Sequence, residues 1–222
     1  MINVVIPASG MGFRFGADIP KQFLLLNDKE ILQHTIEIFQ NINQISEIVV
    51  TVPPGFASRV RGYNFSKVKH IVEGGESRSH SVYLALQHLP KTTDVVLVHD
   101  GVRPFITEEK VLEIAEKAEF SGAAVACTPV TDTIKKAAKN GIISKTLDRS
   151  KLWNVQTPQG FTYDILMEAY QKNLTILSQF TDDSSIVERN GIPVHIVACS
   201  ARNIKITTIE DLKIAKFFLE EM

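Results

Sequence analysis

The segment richest in groups suited to a phosphate lies near the start of the chain, where Pro7-Ala8-Ser9-Gly10-Met11-Gly12-Phe13-Arg14-Phe15-Gly16 is followed by Pro20-Lys21-Gln22. Small side chains let backbone N–H groups come close to a phosphate, and Arg14 and Lys21 add two cations to the same loop. The spacing Gly10-x-Gly12-x-x-x-Gly16 is one residue too long for a dinucleotide fingerprint, and no Gly-Lys-Ser/Thr ends it as in a P-loop. A glycine-rich loop alone is weak evidence. Two cations placed after it favour a triphosphate over a structural turn.

Further loops carry charge. Glu73-Gly74-Gly75-Glu76-Ser77-Arg78-Ser79-His80-Ser81 opens a helix and, taken alone, reads as a turn and cap. His99-Asp100-Gly101-Val102-Arg103-Pro104 directly follows the apolar run 95–98. An Asp and an Arg at the mouth of a buried strand are costly to desolvate unless they serve a ligand or each other, and the residues alone fit either reading. Downstream come Gln156-Thr157-Pro158-Gln159, Thr181-Asp182-Asp183 and Asn203-Ile204-Lys205-Ile206-Thr207. Lone lysines are usually solvated, but Lys205 stands between β-branched residues just before a helix cap.

These loops need strands and helices to hold them. Residues 4–6, 48–52 and 95–98 are continuous apolar runs, as in strands covered on both faces. Between the first two, Ile31, Leu32, Thr35, Ile38 and Phe39 recur at helical spacing. Thr107 followed by Glu108 and Glu109 reads as an N-cap with an acidic first turn, and Val111, Leu112, Ala115 and Ala118 as the buried stripe behind it. Thr208 caps a last helix with Asp211 three residues on and the stripe Leu212, Ala215, Leu219. Alternating β and α units predict an α/β fold with a mostly parallel sheet and helices on both faces. Such sheets bind ligands at the C-terminal ends of their strands, where the charged loops fall. Residues 131–150 break the alternation: polar, with Asn140-Gly141 between extended pieces, they predict a β-hairpin projecting as an arm. By pattern alone it is a surface hairpin without a role.

The composition bounds the rest. A chain of 222 residues fits one domain, 1–222, with the arm at about 131–150 as its appendage. A formal net charge of −1 gives no electrostatic reason to expect nucleic acid or an anionic membrane as partner, while leaving room for a small, locally basic site. Cys127 and Cys199 have no Cys-x-x-Cys spacing and read as apolar fillers. The six histidines form no His-x-x-x-His pair and have no cysteine cluster beside them, so no protein-built zinc site is expected. Met1 leads straight into Ile2-Asn3-Val4-Val5-Ile6 without a basic n-region or long apolar stretch, so neither a signal peptide nor a transmembrane helix is expected, and cytoplasm is the default location.

Taken in order, these segments resemble the methylerythritol phosphate cytidylyltransferases of the non-mevalonate isoprenoid pathway. The likeness runs from Pro7 to Thr207 and rests on the glycine loop with Pro20-Lys21-Gln22, His99-Asp100-x-x-Arg103-Pro104, Gln156-Thr157-Pro158-Gln159, Asp148-Arg149 with Leu152-Trp153, and Asn203-Ile204-Lys205. The chain departs from the usual pattern at Gly101-Val102, where two alanines are common, at Ser77 for a common Glu, and at Ser184 for a frequent Ala. The resemblance implies a Rossmann-like nucleotidyltransferase and a homodimer whose arms interlock, each reaching the partner's site with Thr133 and Arg149. It implies CTP along Pro7, Ala8, Ser9, Gly10 and Gly12, with Gly75, Glu76, Ser81 and Gly101 around base and ribose. Asp100, Arg103, Thr157, Thr181 and Lys205 would line the acceptor pocket for methylerythritol phosphate. In such a transfer Arg14 and Lys21 would serve the α-phosphate and leaving group, Arg149 and Lys205 the acceptor phosphate, and Mg²⁺ would ride on the triphosphate rather than in a protein cage. Ribitol phosphate cytidylyltransferase shares many of these motifs and is the nearest rival; a non-catalytic nucleotide-binding regulator is the rival of another class.

Overall fold

Continuous β-branched runs become the strands of one twisted sheet in the computed structural model, which describes residues 1–11 and 19–221. The strands in chain order are β1 (Ile2–Pro7), β2 (Leu25–Leu26), β3 (Lys29–Glu30), β4 (Ile45–Val52), β5 (Val68–Glu73), β6 (Val95–Val98), β7 (Ala123–Pro129), β8 (Lys135–Ala137), β9 (Ile143–Thr146), β10 (Trp153–Thr162) and β11 (His195–Ala198). The helices are α1 (Ile31–Asn41), α2 (Ala57–Arg61), α3 (Arg78–Leu86), α4 (Glu108–Ser121), α5 (Tyr163–Lys172), α6 (Asp183–Arg189) and α7 (Ile209–Glu220). Seven strands form the central sheet in the order β11-β7-β10-β6-β1-β4-β5.

The sheet is mostly parallel, as the alternation predicts. The exception is β10, antiparallel to both β6 and β7. Its direction is in keeping with the arm: the chain leaves the end of β7, turns through β8 and β9, and re-enters the sheet beside β7 with no crossover helix, running back along it. Val4 and Ile6 point into one apolar layer with Leu32, Phe39, Ile114 and Ala118, whereas Val5 points into the other with Val82, Leu86, Phe161 and Leu166. Each fully buried Leu, Ile or Phe of these layers contributes about 1.5–3 kcal/mol by leaving water. The stripes on α1 and α4 are completed by Ile36 and Ile114, which are buried, while Ile38 and Leu112 are only partly so. The predicted caps form: the Thr107 hydroxyl accepts from the Lys110 amide, and Thr208 and Asp211 make a reciprocal capping box.

A third, smaller layer fixes the last segment. Ile206 and Ala215 pack with Leu26, Ile31 and Val102, and the Ile206 amide donates to the Val102 carbonyl at 3.0 Å. Ile204 is partly buried on this same layer. With both isoleucines turned into it, the residue between them, Lys205, faces the other way.

The hairpin β8–β9 pairs Lys135 with Thr146, and Gly141 closes its turn at φ +82°, a conformation that suits glycine. No helix among the described residues is long and apolar enough to cross a membrane.

Candidate active site

Three loops and one extended segment meet at the C-terminal ends of β1, β5 and β6, around a cavity of about 490 Å³. The loop after β1 and the turn before α3 touch through hydroxyls. Ser81 Oγ donates to the Ser77 carbonyl at 2.8 Å and accepts the Gly75 amide at 3.0 Å, so the Ser9 hydroxyl, 2.8 Å away, is the donor of that pair. Only glycine permits the approach: a Cβ on Gly74 would lie 2.0 Å from Ser9 Cβ, and one on Gly75 2.5 Å from His80 Nδ1. Ser77 is the N-cap of α3, accepting from the His80 amide at 3.1 Å, so the turn-and-cap reading of this loop also holds.

Lys21 reaches the cavity because its neighbour is anchored. Gln22 is 2% exposed, and its amide nitrogen donates to the Ala8 carbonyl at 2.5 Å and the Gly10 carbonyl at 3.0 Å. That fork ties the single turn Lys21–Phe23 to the glycine loop and sets Lys21 beside Ser9 and Gly10 in the cavity lining.

A second cavity of about 290 Å³ adjoins the first, lined by Arg103, Gln156, Thr157, Gln159, Thr181 and Asp182 among others. Arg78, Asp100 and Lys205 line both. In this shared wall one carboxylate meets three cations: Asp100 accepts from Arg78 Nε at 3.1 Å, from Arg103 Nε at 3.4 Å and lies 2.9 Å from Lys205 Nζ. Burial would raise the Asp100 carboxyl, but the charges of Arg78, Lys205 and Arg103 outweigh it and hold the group well below the usual carboxylate range. Burial lowers the Arg103 guanidinium, with Asp100 opposing.

Arg78 has a second anchor. Its Nη1 donates at 2.8 Å to Asp183, which is fully buried and accepts the Tyr170 hydroxyl at 2.5 Å on its other oxygen. Burial pushes the Tyr170 phenol well above its ordinary value, and Asp183 adds to that, so it stays a donor. Arg103 is held by a donation from Nη1 to the Asn203 carbonyl at 2.8 Å, and Asn203 itself donates to Gln156 and to the Thr157 carbonyl, each at 2.9 Å. Asp182 caps α6 and accepts from Gln159 at 2.9 Å; burial raises its carboxyl, but hydrogen bonds from Ser184, Gln159 and Ser185 pull it below the ordinary value. Such a wall, with three cations held rigidly around one carboxylate where the cavities join, can bring two anions together from opposite sides.

Of the residues singled out in the sequence, Pro7, Ala8, Ser9, Gly10, Lys21, Gly75, Glu76 and Gly101 line the larger cavity, and Ser81 braces it from behind. Arg103, Thr157 and Thr181 line the smaller one, and Asp100 and Lys205 both. Asp100 and Arg103 thus pair with each other and face a cavity, so neither reading of that loop excluded the other. Gly12 and Arg14 lie outside the described residues. Thr133 and Arg149 sit exposed on the arm and line neither cavity; Arg149 donates to the Thr131 carbonyl. Among the described residues no cluster of three His, Cys, Asp or Glu could hold a metal ion.

Sequence reasoning missed Arg78, Gln22 and Asp183. Arg78 carried a signal: a cation as the first residue of a helix opposes the macrodipole, and here two carboxylates compensate it. Gln22 and Asp183 had only their neighbours in motifs to mark them.

The family model described as IspD, 2-C-methyl-D-erythritol 4-phosphate cytidylyltransferase, matches residues 2–221. The protein of that name from Syntrophus aciditrophicus is 42% identical over 225 residues, covering 99% of this chain and 96% of the relative. Among solved structures, 4-diphosphocytidyl-2C-methyl-D-erythritol synthase from Anaerococcus prevotii superposes with a TM-score of 0.87 at 26% identity, covering 99% of this chain and 96% of the other. The Francisella tularensis 2-C-methyl-D-erythritol 4-phosphate cytidylyltransferase gives 0.84 at 33% identity, with 97% and 98% covered.

Proposed function

The chain belongs to the 2-C-methyl-D-erythritol 4-phosphate cytidylyltransferase family, and from that premise we propose how its residues divide the work. It transfers CMP from CTP to 2-C-methyl-D-erythritol 4-phosphate, giving the CDP-alcohol and pyrophosphate for isoprenoid precursor synthesis. One observation carries the division: two adjoining cavities share the wall of Arg78, Asp100 and Lys205. CTP occupies the larger, with its base and ribose against Gly75, Glu76, Ser81 and Gly101 and its phosphates along Pro7, Ala8, Ser9, Gly10 and Gly12. The acceptor occupies the smaller, between Arg103, Thr157 and Thr181. The two phosphates then meet at the shared wall.

An acceptor phosphate oxygen attacks the α-phosphorus in line, forming one P–O bond as the bond to the β-phosphate bridging oxygen breaks and pyrophosphate leaves. The attacking phosphate is already ionised at pH 7, so no general base is needed; alignment and charge stabilisation do the catalysis. Lys21 and Arg14 serve the α-phosphate and the leaving group. Lys205 and Arg103 hold the acceptor dianion, which would otherwise repel the nucleotide. Mg²⁺, bound to the triphosphate, supplies further neutralisation there. The donor set fits a metal carried by phosphates: the carboxylate in the shared wall, Asp100, is engaged by three cations.

Thr133 and Arg149 complete the acceptor pocket from the arm of a second copy in a homodimer. Exposed Ile142, Ile143, Trp153 and Val155, on the arm and at its base, support a partner that covers them. The chain acts as one nucleotidyltransferase domain, in the cytoplasm with its phosphorylated substrates. The test is pyrophosphate release with CTP and Mg²⁺, comparing methylerythritol phosphate with ribitol 5-phosphate. Turnover with ribitol phosphate alone would overturn the acceptor; silence with both, from folded protein, would favour a nucleotide-binding regulator.

A further inference from the structure

The reaction as described uses Asp100, Arg103 and Thr157 but not the imidazole lying among them. His99 is fully buried at the end of β6, its ring edge-on to Phe39 with centroids 5.0 Å apart. Both ring nitrogens are engaged. Nε2 lies 2.9 Å from the Arg103 carbonyl and Nδ1 lies 3.2 Å from the Thr157 hydroxyl. A carbonyl only accepts, so Nε2 carries the proton; in a neutral ring Nδ1 is then the acceptor, and the Thr157 hydroxyl must donate to it. Burial, which lowers the imidazole to about 4 against weaker opposition from the Arg103 carbonyl and Asp100, keeps the ring neutral at pH 7. With its proton committed, the Thr157 oxygen accepts the Asp100 amide at 3.0 Å.

The result is a directed chain from the Arg103 backbone, through His99 and the Thr157 hydroxyl, to the Asp100 backbone. It joins the loop after β6 to the antiparallel strand β10, two elements that otherwise meet through the sheet ladder from Val98 and Gln159 onward. The three residues it ties all line the smaller cavity.

We propose that His99 is a positioning residue of the acceptor pocket: its two nitrogens set the spacing between Arg103 and Thr157 and orient the Thr157 hydroxyl that holds Asp100. This rests on the assignment of the smaller cavity to the acceptor phosphate. A ring that only fills space would serve as well as an imidazole; a ring that positions must have its donor and its acceptor.

The discriminating variants are His99→Phe, which keeps an aromatic ring against Phe39 and removes both nitrogens, His99→Gln, whose amide can reach the Arg103 carbonyl, and His99→Asn, whose carbonyl can face Thr157. Steady-state pyrophosphate release is measured with each substrate varied in turn. A displacement near 1 Å at reacting groups costs on the order of 10²-fold in rate. His99→Phe is therefore expected to lose about 10- to 100-fold in kcat/KM for methylerythritol phosphate, with the KM for CTP within about twofold of wild type. His99→Gln and His99→Asn, each retaining one link, are expected to fall in between. A merely structural role would lower the melting temperature and the active fraction while leaving both KM values unchanged in the folded enzyme, and that result overturns the proposal. Should His99→Phe be insoluble, the two amide variants carry the same comparison: acceptor KM raised supports positioning, both KM values unchanged refutes it. Wild-type protein inactive with methylerythritol phosphate would instead undo the pocket assignment itself, so the two failures are told apart.

Discussion

Replacing Gln22 by methionine isolates the fork that holds Lys21 to the glycine loop. Methionine matches the length of glutamine and suits a site that is 2% exposed, so the change removes two hydrogen bonds with little change in packing. The two orphaned carbonyls do not cost the same. Gly10 is exposed and its carbonyl can turn to water, whereas Ala8 is buried and its carbonyl loses its side-chain donor. The loss is therefore that of roughly one buried unsatisfied acceptor, about 1–3 kcal/mol. For a chain of this length each kcal/mol lowers Tm by roughly 2–4 °C. The catalytic effect is larger, because the turn carrying Lys21 is freed from the loop that lines the nucleotide cavity; kcat is expected to fall about 10- to 100-fold. Gln22 lines the larger cavity and not the smaller, so the KM for methylerythritol phosphate should hold. Gln22→Glu sharpens the test: its shape is kept, but an ionised carboxylate would face two carbonyl oxygens, and it should be worse than methionine on both readouts. Thermal unfolding and steady-state kinetics decide the matter. Wild-type Tm and kcat in both variants would refute the idea that the fork sets the lysine.

Asp183→Asn removes one of the two counter-charges of Arg78 and weakens the Tyr170 contact; with Asp100 still paired to the guanidinium, urea titration should show a loss of about 1.5–3 kcal/mol, that of a charged hydrogen bond. Lys205→Ala should raise the acceptor KM with less than about 1 kcal/mol of destabilisation, since its side chain is 38% exposed and an exposed pair contributes little. The pH dependence has a definite sign. The His99 imidazole titrates near 4 when folded against 6.5 as a free group, so the unfolded chain binds the extra proton between those values, and stability should fall as pH drops from about 6.5 towards 4 by at most about 1.4 kcal/mol per unit. The Asp100 contribution persists through that window and is lost only below about 4. His99→Phe should flatten this part of the profile in denaturant titrations at stepped pH. Lys21→Ala and Arg149→Ala should each fall about 10²- to 10³-fold in activity, yet mixing them should restore part of it if arms are exchanged; no rescue in verified mixed dimers would count against a shared site.

What the sequence makes legible is whatever depends on neighbours in the chain. The runs at 48–52 and 95–98 read as buried strands from their β-branched residues and short length, and Thr208 with Asp211 can satisfy each other without knowing the rest of the fold. The reversal of β10 is different in kind: its sequence does not say which strands it enters between, and only the absence of a crossover helix after the arm hints at its direction. The site divides in the same way. Loops rich in glycine and cations announce themselves, but Arg78 and Asp183 are 105 positions apart, and neither type nor spacing says that they meet. Cys127 on β7 and Cys199, just past the end of β11, also come together, the Cys199 amide donating to the Cys127 carbonyl at 2.8 Å, and burial raises both thiols as expected of inert fillers.

The shared wall shows why so much of this long-range pairing is spent on one carboxylate. A chain with a net charge of −1 has no surplus of cations to place where two polyanions meet, and bare cations facing each other across an empty cavity would repel. Asp100 resolves that by giving Arg78, Arg103 and Lys205 a common partner. The three are not held equally. Arg78 is also fixed by Asp183 and Arg103 by the Asn203 carbonyl, whereas the one salt-bridge partner of Lys205 among the described residues is Asp100. Lys205 is also the most exposed of the three side chains. The cation with the fewest ties is the one that can turn to an incoming phosphate, while Arg78, anchored by two carboxylates, stays behind and keeps Asp100 compensated. That asymmetry is why Lys205→Ala and Asp183→Asn are expected to separate, the first acting on acceptor affinity and the second on stability.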